Sequence, residues 1–530
     1  MTSWEDSFLF YTPVTTPSKA TDTARNTTRA SVARWLDVLC AGLAAGVVAR
    51  LWIQPLRSSL WLDELGTWWV TNSGLAGVVA RARLFPQSIP YADIVCAARA
   101  AAGSSEIALR LPSLAAALLL VWVVYRLGAE LFDRDTGLLA AGLLVAFPAI
   151  TTASHDARPY AFAVLAATCA AWMLARWMRR GRAGDAAGYV IAAAAMVYFQ
   201  YLFAVILVAH AAWVWTMLRG EREKRFRAGQ GLAAAGALAI LLVPAAVLVR
   251  EIGRDAALHS FRGAPRIIDV VNVLLPASFV AVAVLCVLMV WAASWIRLRG
   301  GDDDRTEATS GPLASDANAL RLLILWTVLP VALLAAVAWA TGIGVFDARY
   351  LMGVVPAQAL LLAWVLRRFE PAAGRRAVLA LYLLLVLVGR WSAPEVVRED
   401  WRSAAAAVRA ANRGSGRPVL LGGTFVESRS IARVEDPVHA SYLRAPLDYY
   451  DAGGTAKVLP LREGKEAEAY VARLLEDPSL ANGFALVERT SSRHSSWSAW
   501  VEARARERGL VMRRVWDGER LKGWVFETGK

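Results

Sequence analysis

The sequence predicts a polytopic α-helical membrane protein that ends in one small soluble α/β domain. Three observations carry this. Of 530 residues, 57% are hydrophobic and only 19% are charged, which is too apolar a balance for a soluble chain of this length. Apolar runs long enough to cross a bilayer, or nearly so, recur from residue 35 to residue 391. Beyond Trp391 the composition changes to alternating helix-like and strand-like segments of globular character.

The runs fall at 35–53, 114–131, 137–151, 159–175, 186–199, 201–218, 231–249, 271–295, 320–341, 351–366 and 377–391, which gives about eleven spans. The third and fifth are short enough to be buried or re-entrant segments. With a cytoplasmic N-terminus, the basic clusters at Arg176 to Arg182, Arg219 to Arg227, Arg297 to Arg299 and Arg367 to Arg376 all fall inside. The opposite orientation would export nearly all of them. The formal charge of +14 is therefore a topology signal and an attraction to membrane lipids, and it excludes nucleic-acid binding as the first reading.

Residues 1–34 are polar and read as a disordered cytoplasmic N-terminus, with no cleavable signal before the first span. The membrane domain covers 35–393 and includes a structured first external loop at 54–112. There Trp68, Trp69, Val70, Val78 and Val95 are spaced as on helices with one apolar face, suited to the membrane interface. The segment 299–319, with Asp302, Asp303 and Asp304, reads as a polar cytoplasmic linker. An odd span number leaves 394–530 outside as an extracytoplasmic α/β domain of roughly 130 residues. Helices are expected at 399–409 and 497–508, and strands at 417–423, 483–488, 510–516 and 523–527. Of four cysteines, Cys40, Cys169 and Cys286 lie in apolar runs, which leaves Cys96 as the exposed thiol and no metal-ligand spacing.

Three external segments hold the charges suited to chemistry. Asp63 and Glu64 form an acidic pair flanked by Trp61, Trp68 and Trp69, and ionisable groups so close to a bilayer usually have a function. Asp156, Arg158 and Tyr160 lie between the third and fourth spans, and Asp347, Arg349 and Tyr350 open the tenth. A guanidinium grips phosphate oxygens with two parallel N–H donors, so Arg158 and Arg349 suit a lipid-linked phosphate; the alternative is an arginine snorkelling to headgroups. Tyr160 and Tyr350 either orient that phosphate or belong to the interfacial aromatic belt. Asp63 suits a general base, with a helix cap as its structural alternative. His155 beside Asp156 reads as a solvated loop histidine.

These residues, together with Gly103 to Ser113, Pro356 and Glu399 to Arg402, resemble the bacterial membrane glycosyltransferases of the C-type superfamily, which are similar to protein O-mannosyltransferases and the lipid A aminoarabinose transferase. The resemblance runs in order through most of residues 35–402. It implies a glycosyltransferase-C-like fold in the bacterial inner membrane and a polyprenyl-phosphate-linked sugar donor. It further implies inverting transfer of a hexose or pentose to a glycan, lipid or protein hydroxyl on the extracytoplasmic face. By the same resemblance Asp63, Glu64 and Asp156 are catalytic and Arg158 meets the donor phosphate, while the chemistry of Tyr160, Arg349 and Tyr350 adds them to the residues that hold it. Asp63 and Asp156 would hold a divalent cation (Mg, Mn or Zn) if one is used. The chain departs from relatives at Phe199, Gln200 and Tyr201, and again between Pro86 and Pro90. A transporter or lipid flippase for envelope precursors is the alternative, although such proteins usually carry repeats and bind cargo near the midplane.

Overall fold

A computed structural model describes residues 19–85, 87–219, 228–254, 263–300, 313–368, 372–391, 399–412, 416–490 and 495–529. Eight of its helices are long and apolar enough to span a membrane, and ten if each of two bent pairs counts as one span. The bent pairs are Arg134–Leu144 with Pro148–Ser154, at 69°, and Ile267–Leu274 with the helix that follows, at 57°. With the shorter apolar helix Ala183–Phe199, every expected run coincides with a helix or a bent pair. The first helix begins at Lys19, so of the N-terminal segment expected to be disordered only 1–18 lie outside the described residues. Asp302, Asp303 and Asp304 also lie outside them, between helices that end at Gly300 and resume at Leu313.

Three helices share one polarity. Glu106–Leu131, Tyr160–Arg180 and the broken helix Ala348–Leu366 each start near the acidic pair and finish at the other end of the bundle. The first of these has 26 residues and is thus about 39 Å long, enough to cross the hydrocarbon core. At its far end Glu130 pairs with Arg180 at 2.9 Å. The same end collects Arg367 with Asp133 at 3.2 Å, Arg368 with Asp316 at 3.5 Å and Arg375 with Asp135 at 2.6 Å. Two of the basic clusters that set the expected orientation therefore lie at the end opposite Asp63.

The C-terminal domain is a five-stranded sheet in the order β2-β1-β3-β5-β4, formed by β1 (Val419–Gly422), β2 (Ala456–Val458), β3 (Phe484–Arg489), β4 (Leu510–Asp517) and β5 (Leu521–Thr528). Strand β1 runs parallel to β2 and β3, while β5 runs antiparallel to β3 and β4. Both faces of the sheet are covered, as a parallel centre requires. Val419 and Leu421 face the Trp401–Ala411 helix, and Leu420 and Leu486 face Val471 and Val501 of the helices Lys465–Leu475 and Ser498–Glu507.

The first loop corrects one expectation. Its helices Leu62–Thr71, Leu75–Leu84 and Ile89–Ala102 turn their apolar faces to the C-terminal domain instead of the bilayer. Leu60, Trp69, Val70, Val78 and Val95 share one buried core with Trp401, Phe425, Tyr442 and Val525. Trp69 meets Tyr442 and Trp68 meets Tyr449, each pair at 5.3 Å between ring centroids. Cys96 lies in the same core, 7% exposed, so the thiol expected on the surface is buried.

Polar contacts fix this docking. The Tyr450 hydroxyl accepts from Leu60 N at 2.7 Å, and Arg402 pairs with Glu106 at 2.5 Å. Glu399 accepts from Leu62 N at 2.9 Å and pairs with Arg489 at 2.6 Å. A labelling experiment checks the two ends. With the four native cysteines replaced by alanine, a membrane-impermeant thiol reagent is expected to reach Ala481→Cys in intact cells and Ala183→Cys only after lysis. Labelling in the reverse order would invert the orientation.

Candidate active site

Glu64 organises the surroundings of the acidic pair. Its Oε2 accepts from Trp61 N at 3.1 Å and so closes the first turn of the Leu62–Thr71 helix. The carboxylate is wholly buried and accepts two bonds from Arg110, from Nε at 2.7 Å and from Nη2 at 2.5 Å. A fourth bond comes from Ala157 N at 2.8 Å. Arg110 in turn donates to the carbonyls of Pro55, Leu56, Ser58 and Ser59. One ion pair thereby joins the end of the first span, the helix of the acidic pair, the second span and the loop that carries Arg158. Glu64 faces this network and not Asp63's partners.

Asp63, the next residue back, points elsewhere. Its Oδ2 accepts from Arg349 Nη1 at 2.9 Å, and both side chains keep some exposure, 24% and 32%. Arg349 is also held by Asp347, whose Oδ1 accepts from Arg349 N at 3.0 Å and from Nε at 3.4 Å. Asp156 is buried, and its Oδ1 accepts from Trp61 Nε1 at 3.0 Å. Burial, and then the nearby Glu64 carboxylate, push the Asp156 carboxyl up to about 7, against the opposing pull of Arg158 and the Trp61 indole. Burial pushes the neighbouring His155 down to about 4, which keeps it neutral.

Arg158 stands between these groups, close enough to Tyr160, Asp63, Asp156 and Arg349 to interact electrostatically with each. Its guanidinium carbon lies 5.7 Å from the Phe85 ring centre and 5.9 Å from that of Tyr160. Tyr350 sits under Arg349 at 5.9 Å. All seven residues singled out in the sequence thus converge on one end of the bundle. The N-terminus of the 21-residue helix Tyr160–Arg180 opens there, and its dipole adds partial positive charge.

Sequence reasoning missed several members of the site. Arg110 fell within the Gly103 to Ser113 stretch of the resemblance but was given no role of its own. Gln87 lies in the stretch where the chain departs from relatives, and its amide meets Arg158. The C-terminal domain also reaches the site: Phe425 meets Phe85 edge-on and Tyr442 meets it at a tilt, with centroids 5.6 and 4.8 Å away. Glu427, on the turn after β1, is buried and accepts from the Tyr442 hydroxyl at 3.5 Å. Gly66 makes room for this group, since a Cβ there would lie 2.3 Å from the Phe85 ring.

The family model described as dolichyl-phosphate-mannose-protein mannosyltransferase matches residues 93–260. No curated protein matches the chain by sequence. Among solved structures, ArnT from Cupriavidus metallidurans bound to undecaprenyl phosphate superposes with a TM-score of 0.54 at 12% identity, covering 93% of this chain and 98% of that one. The apo state of the same protein gives 0.55 at 14% identity, covering 93% and 97%. The fold is that of the C-type membrane glycosyltransferases. In this C-type fold the sheet domain and the acidic pair occupy the same end of the bundle.

The donor set for a divalent cation is thin. Among the described residues no three His, Cys, Asp or Glu side chains come together as a metal-binding group. Asp63 is bonded to Arg349 and Asp156 to Trp61. Fixed guanidinium charge is what the site's own residues supply.

Two measurements test this arrangement. Arg110→Met should lower stability by about 3–5 kcal/mol by leaving Glu64 buried and unpaired. The double variant Glu64→Met, Arg110→Met should lose much less than the sum of the single losses; strict additivity in thermal unfolding would show that the pair does not act as a unit. For Asp156 the folded carboxyl lies above its ordinary value, so its stabilising contribution is greatest below pH 4 and is lost as pH rises towards about 7. The difference in melting temperature between wild type and Asp156→Asn should follow that slope and level off above pH 7. A difference independent of pH would refute it.

Proposed function

We propose that this chain is an inverting glycosyltransferase that moves a sugar from a polyprenyl-phosphate-linked donor to a hydroxyl of a cell-envelope acceptor, on the extracytoplasmic face of the bacterial inner membrane. The observation that carries the reading is the meeting of Asp63 with Arg349 and Arg158 at one end of a C-type fold. Such a site pairs a candidate base with fixed positive charge for a phosphate. The solved protein of similar fold binds undecaprenyl phosphate. Charges gathered at one end of the bundle favour this reading over a transporter, which would bind cargo near the midplane.

In the proposed reaction the acceptor oxygen attacks the anomeric carbon from the face opposite the phosphate. The bond from that carbon to the phosphate oxygen breaks, and the acceptor proton passes to Asp63. Arg158 and Arg349 stabilise the charge that grows on the departing polyprenyl phosphate, with Tyr160 and Tyr350 beside them. Donor binding also prepares the base. Arg349 lies against Asp63 at 2.9 Å, and a phosphate that draws the guanidinium towards itself leaves the carboxylate free to accept a proton. Glu64 and Asp156 act by position, fixing the helix start and the loop between them.

Comparing the envelope of a gene-deletion strain with its parent by mass spectrometry should reveal one lost glycosylation. Wild-type protein should restore it. Asp63→Asn should lower it at least about a hundredfold, in line with the loss of a general base, while the protein still binds undecaprenyl phosphate. Arg158→Lys should weaken that binding, because lysine keeps the charge and loses the planar fork. Full restoration by both variants would remove the two residues from the mechanism.

A further inference from the structure

The three arginines gathered around the acidic pair are not electrostatically equivalent. Arg110 is neutralised by Glu64 at 2.5 Å, and Arg349 lies between Asp63 at 2.9 Å and Asp347 at 3.4 Å. Arg158 makes no ion pair among the described residues. The Gln87 amide, oriented by its hydrogen-bond network, holds it: the amide oxygen accepts from Arg158 Nη1 at 2.8 Å and from Thr67 Oγ1 at 2.8 Å. Gln87 is 5% exposed and Thr67 fully buried, so this is a built contact. The Nε of Arg158 is buried as well and has no protein acceptor, and such a donor normally has a partner when the site is at work.

A neutral amide does here what a carboxylate does for the other two arginines, without cancelling the charge. Thr67 lies one turn after Asp63 on the same helix, and its hydroxyl also reaches Asp63 O at 3.3 Å. Gln87 therefore sets the guanidinium of Arg158 in register with Asp63. Ser88 anchors the segment, donating to Tyr198 O at 2.9 Å and capping the Ile89–Ala102 helix.

We infer that Gln87 is a positioning residue that orients Arg158 while leaving its full positive charge, and its Nε donor, for an anionic phosphate. This rests on the reading of Arg158 as a phosphate ligand given above. It adds that the side chain at 87 must be uncharged. A glutamate there would keep the shape and the acceptor oxygen, yet pair with Arg158 as Glu64 pairs with Arg110.

The test measures binding of undecaprenyl phosphate to the purified full-length protein, with melting temperature recorded alongside. Gln87→Glu is expected to weaken binding at least tenfold without lowering the melting temperature, and to flatten the dependence of binding on salt. Gln87→Leu keeps the charge of Arg158 but frees its fork, and should weaken binding by a smaller factor. In an Arg158→Ala background, Gln87→Glu should have little further effect, which separates neutralisation of Arg158 from repulsion of the phosphate through space. Wild-type affinity in Gln87→Glu, or an equal loss with and without Arg158, would overturn the inference. If the wild-type protein fails to bind undecaprenyl phosphate, the donor reading itself falls.

Discussion

The buried pair of Glu64 and Arg110 is the constraint on which the rest of the site depends. A carboxylate with no exposure is tolerable only if its charge is matched and its oxygens are filled, and four donors meet that requirement here. Because those donors come from separate segments, satisfying the charge also fixes where the segments lie. Asp63 inherits its place from the helix that Glu64 starts. Arg158 inherits its place from the loop that Glu64 holds through Ala157 N. The geometry of the proposed chemistry is thus set by an interaction that takes no part in it.

Around that anchor, positive charge is graded. Arg110 is fully neutralised and buried, Arg349 is shared between two carboxylates, and Arg158 is held by an amide. Such a series suits a site that must bind an anion without attracting every anion. The cation least compensated by protein lies beside the aromatic rings of Phe85 and Tyr160, where reduced access of water strengthens its field. The partly compensated one can exchange partners when a phosphate arrives.

Most of the membrane architecture was legible in the sequence, because hydrophobic runs report spans directly. Strands β3, β4 and β5 and the helices at 401–411 and 498–507 were legible through their periodicity. Strand β2 has three residues, and the helices between 431 and 450 are of seven residues or fewer; neither is long enough to impose a period. In the site, residues at helix starts stood out because charge beside an apolar run is conspicuous. Gln87 did not, and Arg110 entered only within the Gly103 to Ser113 stretch without a role, since the meaning of both lies in partners distant in sequence. The apolar faces of the first loop were visible, but the pattern of a face does not say whether lipid or protein covers it.

The common core of the first loop and the C-terminal domain has a consequence for biogenesis. The loop leaves the ribosome well before Trp401, Tyr442 and Val525, which cover it and follow it in the chain. Until then Trp69, Val70 and Val95 lack the surface that buries them, and Phe85 lacks its aromatic partners from the sheet domain. Chain order therefore delays completion of the site until the sheet domain has been made. A nascent or truncated chain would carry Asp63, Glu64, Arg110, Asp156, Arg158 and Arg349, yet would lack the cover that dries and orders them.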